Sequence, residues 1–279
     1  MFWQALRNEL IKLFSRGRSY IAFGAVVFIV GAIHLALWVD GENFLNFQTS
    51  NLRDQFLFEG NLLNGNLSAY IILTALLVHI PFLIALVTGD LLAGEAAGGT
   101  IRFLLIRPIR RSTLVAAKFA TALIYSTLLV LVMALLSGLM GRWLLGSGDL
   151  FVVRDTLVLF DASDVSWRML GAYAFSILGM ATVASLSFLF SAITDNAVTP
   201  ILLTMVIIIA FMILSSIDLS LFKAMKPFFF TTYMNGWKLF FEDPFSWARV
   251  AQYGGALLLH VVIFFAFTQW YVQRKDILS

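Results

Sequence analysis

Two groups of residues in this sequence carry side chains capable of chemistry. The first is the three histidines, His34, His79 and His260, each inside a strongly apolar stretch. An ionisable group in such a setting points to function by default, and three imidazoles raise the question of a metal ion or a proton path. Each falls in a different stretch, however, and no Asp or Glu occurs at comparable depth. His34 lies near the end of its stretch, where water reaches. His79 stands two residues before Pro81, where it can satisfy a carbonyl that the proline ring leaves without a donor. No metal site is expected.

The second group is GDLLAGEAAGGTIRFLLIRPIRRSTLVAAK, from Gly89 to Lys118. Asp90 and Glu95 stand where an apolar stretch ends. Gly98 and Gly99 break the helix, and Thr100 can cap a new one by accepting from a free backbone N–H. That short helix, Ile101 to Ile106, has Ile101, Leu104 and Leu105 on one side and Arg102 and Arg107 elsewhere. Pro108 ends it, and Ser112 can cap the helix that follows. A short rigid helix between two breaks suits docking on a soluble partner. The same bases also read as a turn stapled to lipid phosphates. No H-E-x-x-H pair, Ser–His arrangement or carboxylate pair falls inside an apolar stretch, and no G-x-x-x-x-G-K-[ST] loop is present. The chain is therefore expected not to be an enzyme and to bind no ATP itself. With no cysteine, disulfides and thiolate metal sites are excluded.

These residues must be positioned by membrane-spanning helices. Of 279 residues, 60% are apolar and 13% charged, against about 25% charged in a soluble domain. Such a chain needs an apolar solvent. Six stretches approach the roughly 20 residues that cross a bilayer: Tyr20–Trp38, Ala69–Thr88, Leu114–Met140, Met169–Phe190, Val198–Ser215 and Ala251–Tyr271. The first is too long for a signal-peptide core and is followed by no small-residue cleavage site, so it reads as a retained span. The expected fold is an all-α membrane protein in which the whole chain, 1–279, is one transmembrane domain. Alternate segments, counted with Lys118, hold eleven of the nineteen bases but only five of the sixteen acids. This places the N-terminus, the 89–113 loop, the 191–197 turn and the C-terminus in the cytoplasm. Eleven acids then face outward, a possible surface for an extracytoplasmic partner; the net charge of +3 is too small to suggest nucleic acid.

Residues 1–18 form a basic flank in which Trp3, Leu6, Leu10, Leu13 and Phe14 recur at helical spacing around Arg7, Asn8 and Lys12. They are expected to make an amphipathic helix in the cytoplasmic interface. Segment 217–250 contains Pro227-Phe228-Phe229-Phe230 and Trp237 to Phe241. It reads equally as short helices re-entering the outer leaflet and as an interfacial aromatic belt. The fourth span is rich in small residues, among them Gly171, Ala174, Gly179 and Ala184, a mark of close helix packing. Asp195 and Asn196, in the tight turn before the fifth span, suit capping.

The stretch from Gly89 to Lys118 resembles the signature of the ABC type-2 permeases, the membrane subunits of many bacterial exporters. The matching residues are Asp90, Gly94, Glu95, Gly99, Thr100, Leu104, Leu105, Pro108, Arg111 and Lys118. The basic N-terminal helix and the ending Gln273 to Leu278 are similar to the family's as well. The resemblance implies a multi-pass subunit of a bacterial-type inner membrane that pairs with a second permease chain and docks on a separate ABC ATPase, which alone holds ATP and Mg. It implies that the coupling residues include Ile101 and Arg102 beside those matched. Two other readings remain: a scaffold in an ATP-driven complex that does not transport, and an ion-driven secondary transporter.

Overall fold

The computed structural model describes residues 1–49, 62–99, 109–153 and 157–275. Helix α1 (Phe2–Phe14) leads through a short turn into α2 (Gly17–Thr49). Helix α3 (Gly65–Thr88) is followed at Gly89 by α4 (Asp90–Ala97), and α5 covers Arg111–Leu145. Strands β1 (Leu150–Val153) and β2 (Leu157–Phe160) come next, then α6 (Ala162–Ile193) and α7 (Thr199–Ser216). The segment 217–250 holds α8 (Ser220–Met225), α9 (Phe230–Met234) and two 3₁₀ turns, and α10 (Trp247–Arg274) follows.

Among the described residues six helices are long and apolar enough to cross a membrane, matching the expected number and order. All but α7 overrun the apolar stretches, because backbone hydrogen bonding continues after the side chains turn polar. Helix α2, expected to stop at Trp38, passes a kink at Asp40 (φ −132°, ψ 19°) and reaches Thr49. The expectation of a purely helical chain needs one correction. Strands β1 and β2 pair antiparallel, with Leu150 opposite Phe160 and Phe151 opposite Leu159. Their β-branched and aromatic residues favour a pleated surface. Ser112 does not cap α5; the capping position is Arg110, with no side-chain hydrogen bond.

Helix α6 is the axis of the bundle. Its most apolar window is 72% buried, against 6% for α10 at the periphery. The small residues of α6 explain this. A Cβ on Gly171 would run into the Phe240 ring, and Gly179 lies under Met234. The stripe thus serves packing within the chain. The aromatic run is drawn inward onto this helix: Phe229, Phe230, Trp237, Phe240 and Phe241 are all buried. At the same end, Asn64 caps α3 by accepting from Asn66 N and Leu67 N, and its amide donates to Asp149 O at 2.7 Å.

Candidate functional site

At the opposite end, four elements bring seven charged side chains together. Helix α1 supplies Glu9 and Lys12 on one face, three residues apart, and the turn after it supplies Arg16. Arg18 opens α2, Asp90 and Glu95 come from α4, and Lys118 lies two turns into α5. Lys118 Nζ donates to Glu9 Oε2 at 2.7 Å and to Glu95 Oε1 at 2.8 Å. Lys12 also pairs with Glu95. Asp90 Oδ2 accepts from Arg16 at 2.9 Å and also pairs with Arg18. Glu9, Asp90, Glu95 and Lys118 are buried. The space between the groups is about 10 Å³, at the lower limit for one water.

The fold builds this cluster in three ways. First, α1 docks on α5 through Ala5, Leu6 and Ala117. Its buried face is Ala5, Leu6, Glu9 and Leu13, while Trp3 and Ile11 are exposed. The stripe expected to be apolar throughout therefore carries a carboxylate at its centre. Second, α4 is set by the end of α6: Ser191 Oγ accepts from Leu92 N at 3.0 Å and Ala93 N at 2.9 Å, replacing carbonyls lost at the break. Third, a Cβ on Gly94 would occupy the place of the Asp90 carboxylate. Glycine is needed there for closeness rather than conformation.

Burial and the neighbouring Lys118 charge hold the Lys12 amine below its usual range. Four cations face three buried carboxylates, so the buried members depend on the others. Removing one partner of such a group costs about 3–5 kcal/mol, because a buried charge is stranded.

Of the residues expected to act, the structure joins Asp90, Gly94 and Glu95. Glu95 faces inward, onto Lys12 and Lys118. Gly99 has a positive φ of 65°, which confirms the break. Thr100, Ile101, Arg102, Leu104, Leu105 and Pro108, with the short helix expected there, lie outside the described residues. Arg111 stands apart: it starts α5 and donates to Lys275 O at 3.3 Å. Lys275 in turn meets Asp195 Oδ1 at 2.7 Å, so Asp195 ties the end of α10 to the α6–α7 turn. Asn196 closes that turn, accepting from Val198 N at 2.8 Å; α7 itself has no side-chain cap.

Residues 1–18, expected to be an amphipathic interfacial helix with a basic flank, place Glu9, Lys12, Arg16 and Arg18 on partners elsewhere in the chain, pairings the flank by itself does not announce. A usable signal was present, for Lys118 is a charged residue inside an apolar stretch and requires a partner. The histidines stay separate: among the described residues no group could hold a metal ion. Each instead bonds the carbonyl one turn back through Nδ1, at Val30, Ala75 and Ala256. His34 is buried beside Ser68 rather than wet. His79 bonds Ala75 O, whereas Pro81 frees the carbonyl of Leu77, so the proposed compensation does not occur.

Comparison with known sequences gives a family without an assigned role. The model described as "Protein of unknown function (DUF2705)" matches residues 19–278. The uncharacterized protein YhcI of Bacillus subtilis (strain 168) is 28% identical over 116 residues, 40% of this chain and 37% of that protein. The match thus spans little more than a third of that relative.

Proposed function

We propose that this chain, which belongs to the DUF2705 family, is the membrane-spanning subunit of an ATP-binding-cassette exporter whose ATPase is a separate polypeptide. The observation that carries this reading is the charged cluster at the root of the segment between α4 and α5. Asp90 ties α4 to the α1–α2 turn, and Glu95 ties it to α1 and α5. A displacement of the 98–110 segment by a soluble partner would therefore reach α1, α2, α3 and α5 together. In this reading the charged end is cytoplasmic, α1 lies in the interface, and both termini face inward. Glu95 is a positioning residue: it holds the lever rather than touching the partner.

ATP binding would close the ATPase pair and push the segment, and two membrane subunits would rock against each other. Helices α7 and α10 suit the outside of such a subunit, since their apolar windows are only 22% and 6% buried. They would meet lipid or the second permease chain. The membrane is of the bacterial inner type in this reading, and ATP and Mg belong to the partner.

The test is retention of an ATPase by the detergent-solubilised protein from its native membrane, compared between wild type, Glu95→Ala and Arg7→Ala, the last at an exposed position off the cluster. Co-purification of a phosphate-loop subunit that Glu95→Ala weakens and Arg7→Ala leaves intact is the expected result. Recovery of a folded protein with no ATPase would overturn the reading. Substrate movement in vesicles then separates an exporter from a scaffold that only transmits force.

A further inference from the structure

The end of the bundle away from the charged cluster has a groove of about 600 Å³ between α3, α5 and α6. Its length is set by two parallel walls. On α5 it runs from Arg142 to Leu131, and on α6 from Ser166 to Ile177. Each wall covers twelve residues, so its ends lie eleven rises or about 16 Å apart along the helix, close to the roughly 15 Å hydrocarbon depth of one leaflet. An interface between two spanning helices would continue through the full thickness. This groove stops at mid-depth.

The walls are apolar, and their tips are open: Leu135, Leu139 and Leu170 are 60%, 68% and 72% exposed. The floor is low because it is made of small residues, Ala134 and Gly138 on α5 and Ala174 on α6. Nothing lies within 4 Å of a Cβ built on Gly138. Tyr173 presents its ring while its hydroxyl is engaged with Ser137 Oγ at 2.6 Å. At the mouth stands Arg142, exposed, with Ser166 Oγ at 3.5 Å as its one hydrogen-bond partner among the described residues. No carboxylate lines the groove.

We propose that this groove holds one acyl chain of an anionic phospholipid from the leaflet at that end, with the lipid phosphate on Arg142. The apolar length matches one chain, and the guanidinium, paired with no carboxylate among the described residues, holds the phosphate by charge-assisted hydrogen bonds and favours a head whose negative charge no ammonium offsets. The site is independent of any ATPase at the other end.

Native mass spectrometry of the purified protein with added phosphatidylglycerol or phosphatidylcholine tests it. Wild type is expected to keep one phosphatidylglycerol about tenfold more tightly than phosphatidylcholine, because the choline ammonium offsets the phosphate charge and is repelled by the guanidinium. Arg142→Glu should abolish that preference, and Arg142→Lys should restore part of it. Gly138→Phe, whose Cβ meets nothing within 4 Å and whose ring would fill the floor, should remove the tight adduct of either lipid. Inorganic phosphate should fail to compete, because the chain is part of the ligand; competition by phosphate would overturn the lipid assignment. Equal retention of both lipids, unchanged in Arg142→Glu, would reduce the groove to ordinary annular lipid and sink the proposal. Loss of a dimer in Gly138→Phe, with lipid retention unchanged, would assign the groove to a second copy instead. Unchanged thermal unfolding of Gly138→Phe secures that its effect is local.

Discussion

Lys118 and Arg168 are both buried cations near the ends of long helices, and they are neutralised in different ways. Lys118, at the charged end, takes carboxylates from two other elements, Glu9 on α1 and Glu95 on α4. Arg168, at the aromatic end, takes one carboxylate from its own helix, Asp164 at 2.6 Å. The rest of its guanidinium is spent on carbonyls, Phe240 O at 2.8 Å and Glu242 O at 3.3 Å, and on the ring faces of Phe160 and Trp167. A point charge with three donors suits a junction between movable elements, whereas a planar fork that also stacks suits a fixed clamp. One end of the molecule is thus held by ion pairs between separate elements, the other by an aromatic plug around one guanidinium.

The contrast can be broken most severely at the charged end. Lys118→Met strands Glu9, while Glu95 keeps Lys12, and should cost about 3–5 kcal/mol, read as a lower unfolding midpoint in detergent. Adding Glu9→Leu should recover part of that loss, because the stranded charge is removed with its partner. A double variant no better than the single one would show that the pair is not coupled. At the aromatic end, Arg168→Lys keeps the charge but loses the fork and the stacking. A loss of about 2 kcal/mol is expected, with the proposed ATPase retention unchanged. A change in retention there would erase the distinction between the ends.

Smaller effects sharpen it. Gly94→Ala pushes a methyl against the Asp90 carboxylate and should cost about 1–3 kcal/mol by overpacking; the same substitution at Gly138, where nothing is near, should be neutral or mildly stabilising. The smallest effect is in pH. The folded protein holds the Lys12 proton less tightly than the unfolded chain, through burial and the Lys118 charge. Stability should therefore rise as pH climbs from the lowered folded value towards 10.5. Lys12→Gln should flatten that rise in alkaline unfolding curves. Lys12 is more than a third exposed, so salt should weaken the effect.

Much of this architecture is local and hence written in the chain. A span is about twenty apolar residues wherever it lies, so the number and order of the six helices follow from hydropathy alone. Gly98 and Gly99 mark a break because of backbone freedom, and Asn196 marks a turn because of its short acceptor. Partners that hold a side chain from far along the sequence leave no such mark. Glu9 meets Lys118 across 109 positions and Arg16 meets Asp90 across 74. No periodicity records those pairings, and a basic flank looks the same whether it faces lipid or buried carboxylates. His34 looked wet because depth was judged from its own helix, while α3 covers it in space. The sequence determined that six helices span and where the charged segment emerges. Only the tertiary structure decided which charges neutralise one another, since desolvation and pairing depend on distance in space rather than along the chain.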